Sequence, residues 1–75
     1  MKTRDQLFNV REQEILELLK EGYTRKEIAA KLDRSLTTIK GNIRLIRAKL
    51  HARNTLQAVV IAIRKGCLGL EDTGI

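Results

Sequence analysis

Lys40 and Arg44 stand one helical turn apart, with Gly41 between them, in the stretch TRKEIAAKLDRSLTTIKGNIRLIRAKL that runs from Thr24 to Leu50. Advancing about 100° per residue from Ile39, Arg47 falls near 80°, Lys40 near 100°, Arg44 near 140°, Thr37 near 160° and Gly41 near 200°. Ile39, Ile43, Ile46 and Leu50 meanwhile stay within roughly 60° of one another. The apolar stripe faces a core, and the other side, with Lys40, Gly41, Arg44 and Thr37 as candidates for reading bases, is free for a partner. An arginine on that side can grip O6 and N7 of guanine bidentately, each good base contact discriminating by roughly 1–3 kcal/mol. The alternative for Lys40 and Arg44 is a solvated basic face without sequence preference. Glycine inside a helix costs roughly 0.5–1 kcal/mol relative to alanine. At Gly41 a benefit that offsets this is close approach to base edges or room for a thymine methyl; the plainer reading is drift at an exposed position.

A second set of residues suits phosphate. Lys26, Arg34 and Thr38 lie near the starts of two helices, where backbone N–H groups and the helix dipole already favour anions. Arg47 and Lys49, farther along the same helix, suit the phosphate backbone or solvent better than bases.

Four helices must hold these groups, at about 10–21, 24–32, 35–50 and 55–65. Asn9 with Glu12, and Thr24 with Glu27, have the spacing of capping boxes; Ser35 is a good N-cap, and Asn54 with Gln57 gives a third possible box. Gly22 and Gly66 take the positions that end the first and fourth helices. Ile15, Leu16, Leu18 and Leu19 supply the first buried stripe, and Ile28, Ala29 and Leu32 the second. Asp33 and Arg34 make a turn of helix-turn-helix length. In the fourth helix seven of eight consecutive positions from Leu56 to Ile63 are apolar. A surface helix needs one apolar stripe, so this helix must be covered on two sides. Leu56, Val59, Val60, Ile61 and Ile63 are therefore the candidates for a homodimer surface, undivided at this stage between interface and core. Residues 1–8 form a short arm, with Leu7 or Phe8 tucked onto the core. Residues 9–68 are the domain, Cys67 and Leu68 folding back onto it, and 69–75 are a tail. The fold class is all-α.

Composition bounds the function. The net charge is +6, and residues 23–54 hold nine cations against Glu27 and Asp33, while residues 10–22 carry a net −2. A cationic centre implies a polyanionic partner. The single Cys67 supports neither an internal disulfide nor, with one histidine, a metal site, so no metal and no cofactor are expected. His51 has no nucleophile or carboxylate arranged around it, which argues against an enzyme. No apolar run approaches ~18 residues and the start lacks a signal-peptide core, so a soluble cytoplasmic protein is expected, with no membrane and no evident small-molecule ligand.

These residues together resemble the DNA-binding domain of the LuxR family. The resemblance runs over about residues 7–68 and is carried by REQEIL, Gly22, KEIA at 26–29, Ser35, TIK at 38–40, Ile46, KL at 49–50 and AV at 58–59. With nothing else attached, the chain looks most like the small stand-alone GerE-like members. The resemblance implies a sequence-specific transcriptional regulator in a bacterium, with the third helix in the major groove of double-stranded DNA and the fourth pairing two subunits. It places base reading on Lys40, Gly41 and Arg44, and phosphate contacts on Thr38 and Lys26. An isologous pair would set two recognition helices about 34 Å apart on an inverted repeat. Departures occur at Arg34, usually apolar in the family, at Asn42, often His, at His51-Ala52, commonly Gly-Val, and at Thr55, usually Arg. Two rivals remain: a domain like region four of a sigma factor, and an interaction module of the same fold acting on another regulator or on RNA polymerase.

Overall fold

The computed structural model describes residues 7–68, with four α-helices and no strand among them. They are α1 (Val10–Lys20), α2 (Arg25–Leu32), α3 (Leu36–Leu50) and α4 (Thr55–Arg64). Residues 1–6 and 69–75, most of the expected arm and the whole tail, lie outside the described residues.

Each helix begins where a side chain satisfies the first-turn N–H groups that have no intrahelical partner. Asn9 accepts from the Glu12 N–H at 2.8 Å while Glu12 accepts from the Asn9 N–H at 3.1 Å. Thr24 and Glu27 repeat the exchange at 3.2 and 2.8 Å, and Ser35 accepts from Thr38 at 3.1 Å. The third box forms differently from expectation. Asn54 does accept from the Gln57 N–H at 2.7 Å, but the Gln57 amide oxygen accepts from the Arg53 N–H, one residue earlier. Asn54 is strongly extended, with φ −156°, and the Gln57 side chain therefore pins the link and not the cap.

Gly22 and Gly66 end α1 and α4 with φ of +95° and +84°. Asp33 and His51 do the same work for α2 and α3 without being glycine, at φ +56° and +55°. In both cases the N–H two residues past the helix reaches back a full turn and more: Arg34 donates to the Ala29 carbonyl and Ala52 to the Arg47 carbonyl, each at 2.9 Å. This double closure turns the chain sharply and lets α3 follow α2 within three residues.

The core forms where all four helices contribute: Ile15 and Leu16 from α1, Ile28 and Ala29 from α2, Ile39, Ile43, Ile46 and Leu50 from α3, Ala58 and Ala62 from α4. Leu68 folds back to close it, its N–H donating to the Ala62 carbonyl at 3.2 Å, while the Gln13 side chain donates to the Cys67 carbonyl at 2.8 Å. Phe8 packs against the cluster and Leu7 stays exposed.

Lys49 corrects an expectation. Its ammonium is 2.7 Å from the carboxylate of Glu12, donates to the Leu7 carbonyl at 3.0 Å and lies 5.6 Å from the Phe8 ring centroid. Glu12 is only 2% exposed. Lys49 therefore belongs to the fold, tying the end of α3 to the start of α1, because a buried carboxylate needs a cation close by.

Candidate nucleic-acid interface

α3 presents the face that its spacing implies. Ile39, Ile43, Ile46 and Leu50 are buried, whereas Thr37, Thr38, Lys40, Gly41 and Arg44 are exposed. A Cβ added at Gly41 would meet nothing within 4 Å. No packing inside the domain requires glycine there.

The phosphate candidates separate into three situations. Thr38 accepts from the Ser35 hydroxyl at 2.9 Å, which leaves its own O–H to donate outward, and Lys26 is exposed in the first turn of α2. Arg34 borders a different hollow, beside Val10, Glu14 and Lys31, and is not gathered with Lys40 and Arg44. Arg47 is half-buried, and its Nη2 donates to the Arg53 carbonyl at 2.7 Å. That bond holds the link between α3 and α4 against the side of α3.

An open hollow of about 430 Å³ lies beside the exposed face of α3. Arg25, Lys40, Arg44, Arg47 and Arg53 line it together with Ile43, the α4 cap Asn54 and Thr55, and no carboxylate among the described residues does. From sequence, Arg25 stands among the helix-start residues that favour phosphate, and Arg53 suits a backbone contact and a solvated link equally; the hollow sets both beside α3. Arg25 is the first residue of α2 and Arg53 the residue before the α4 cap, and only the packing of α2 and α4 on α3 brings them together. Leu45, which helical periodicity does not single out, is 54% exposed on α3, one turn beyond Gly41.

On α4, Leu56 is 74% and Val60 38% exposed, while Val59, Ile61 and Ile63 are half-buried against the core. Counting about 100° per residue, Leu56, Val59, Val60 and Ile63 share roughly 100° of arc. Ile61 falls on the other flank of the buried Ala58–Ala62 line.

Residues 6–62 match the model of the luxR family of bacterial regulatory proteins. The chain belongs to the LuxR family. A curated relative from Bacillus subtilis (strain 168), the uncharacterized transcriptional regulatory protein YxjL, is 41% identical over 59 residues. That alignment takes in 79% of this chain but 27% of the relative, so the chain spans about a quarter of that protein's length. A solved structure of the transcription factor GerE is 33% identical, superposes with a TM-score of 0.82, and the match covers 88% of this chain and 98% of that one. The LuxR-family architecture is thus the all-α helix-turn-helix of a transcription regulator's DNA-binding domain, and α2, the Asp33–Ser35 turn and α3 are its helix-turn-helix. No helix among the described residues is long and apolar enough to cross a membrane.

Proposed function

We propose that this domain binds a specific sequence in duplex DNA as a homodimer, with α3 in the major groove and α4 against its counterpart, on an inverted-repeat site. The observation that carries the reading is the division of α3: four apolar residues in the core, and Thr37, Lys40, Gly41 and Arg44 together on an open face. Lys40 and Arg44 read base edges, Thr37 lies beside them, and the missing side chain at Gly41 brings the helix axis closer to the groove floor. Thr38 and Lys26 hold phosphates at the flank and Arg34 holds one farther out, while Arg47 serves the backbone through the link it braces.

The dimer surface is the Leu56, Val59, Val60 and Ile63 stripe, because a lone domain leaves Leu56 and Val60 in water. Ile61, on the opposite flank, contributes more to the domain's own packing. Two copies related by a twofold axis through α4 would present their α3 helices to successive major grooves about 34 Å apart.

Selection of bound duplexes from a random-sequence pool at about 150 mM salt tests this, since salt at that level suppresses purely electrostatic binding. The expected product is an inverted repeat with half-sites about 10 base pairs apart. Lys40→Ala with Arg44→Ala should abolish the enrichment. A folded protein that enriches no motif would replace this reading with the interaction module.

A further inference from the structure

The cationic hollow beside α3 holds more positive charge than base reading uses. Arg25, Lys40, Arg44 and Arg53 around it have no carboxylate partner among the described residues, whose ion pairs join Lys20 to Glu17 and Lys49 to Glu12. Like charges gathered in one hollow repel each other, and that cost is offset when an anion enters. Two further observations indicate what the anion is. Arg47 is held in place by its bond to the Arg53 carbonyl, yet its Nε–H is buried without an acceptor among the described residues. A buried donor of this kind calls for a partner. At the start of α4, the Gln57 N–H is taken by the Asn54 side chain and the Ala58 N–H by the Asn54 carbonyl. The N–H groups of Thr55 and Leu56 in that first turn have no acceptor among the described residues, and Thr55 lines the hollow. Planar guanidinium groups together with free helix-start amides suit the oxygens of phosphate.

Resting on the DNA-binding reading, we infer that this hollow seats a backbone phosphate of the bound strand, gripped by Arg25 and Arg53 over the braced Arg47, apart from the base-reading contacts of Lys40 and Arg44. The seat touches the start of α2, the side of α3 and the start of α4. A phosphate in it sets how deeply α3 enters the groove and fixes that depth relative to the dimer helix.

The test is the salt dependence of affinity for two duplexes of equal length, one carrying the selected site and one unrelated. Arg25→Gln and Arg53→Gln are measured beside wild type, with thermal melting to verify the fold. Each lost phosphate contact lowers the slope of log affinity against log salt by about 0.9 per protomer, or about 1.8 for the dimer, so the ratio of affinities at 50 and 200 mM salt shrinks roughly 12-fold. The expected result is that loss, equal on both duplexes, with the selected motif unchanged. Wild-type slopes in both variants would overturn the seat while leaving the DNA reading intact. A wild type that prefers no sequence removes the DNA reading, and the unrelated duplex still reports on the seat. If no duplex binds even at about 50 mM salt, both fall. A parallel titration with inorganic pyrophosphate, followed through the Thr55 and Leu56 amide resonances, separates the sources. Saturation there by pyrophosphate in the micromolar range, with the duplex slopes unmoved, would assign the hollow to a free phosphate ligand and overturn the backbone seat.

Discussion

At the scale of single residues, two positions separate folding from function. Gly41 has open space where a side chain would go and an ordinary helical backbone. Gly41→Ala should therefore raise stability by about 0.5–1 kcal/mol, or a few degrees in melting temperature for a domain of this size. The same variant should bind the selected duplex less tightly, since the added methyl stands on the face proposed to meet the bases. A stabilised protein with unchanged affinity would mean that the glycine is neutral toward DNA. His51 is the reverse case: at φ +55° its Cβ crowds the following carbonyl, a cost of roughly 1–2 kcal/mol that glycine escapes. Glycine gives back part of this through greater freedom in the unfolded chain. His51→Gly should gain about 0.5–1 kcal/mol in urea unfolding, with no change in the denaturant slope.

At the scale of elements, the joint between α1 and α3 depends on a charged pair. Glu12 caps α1, is almost fully buried, and meets the Lys49 ammonium at 2.7 Å. Removing one partner of a fully buried pair costs about 3–5 kcal/mol. Because the Lys49 side chain is 35% exposed, water offsets part of that loss, and Lys49→Ala is expected to cost about 1–3 kcal/mol. The double variant Glu12→Gln, Lys49→Ala should cost less than the two single losses added together, which a double-mutant cycle in urea reads directly. Strict additivity would mean that the two side chains act independently.

The helix starts show how far local chemistry reaches. Asn9, Thr24 and Ser35 cap as their types and spacing imply, because each bond spans three residues of one chain. The Gln57 side chain departs from that pattern, reaching Arg53. The link there is shaped by the bond from Arg47, six residues away, and no capping rule contains that geometry.

At the scale of the whole molecule, the exposed α4 stripe is the proposed pairing surface. Leu56→Glu changes a residue 74% exposed in the single domain, so it should shift monomer stability by no more than about 0.5 kcal/mol. In the proposed dimer it buries an unpaired carboxylate. Sedimentation should show the dimer dissociating and affinity for the inverted repeat falling by tenfold or more, while binding to an isolated half-site persists. Ile61→Glu should act differently, lowering thermal stability first, since Ile61 packs on its own core. A dimer undisturbed by Leu56→Glu would remove α4 as the pairing surface.

Sequence alone determined the four helices to within a residue at each end, the core stripe of α3 and the open face that carries Lys40, Gly41 and Arg44. Those features follow from helical periodicity and three-residue capping bonds, which a linear chain displays directly. Only the tertiary structure decided that Lys49 is bound to Glu12, that Arg47 braces the link at Arg53, and that Arg34 stands apart from the other cations. It also decided that Arg25 and Arg53 share a hollow with α3, and that Leu56 and Val60 are the outer members of an almost wholly apolar α4. In each of these cases the partner lies on another helix or across a turn. A side chain's neighbour at that distance is set by how helices cross, and the order of residues does not contain the crossing.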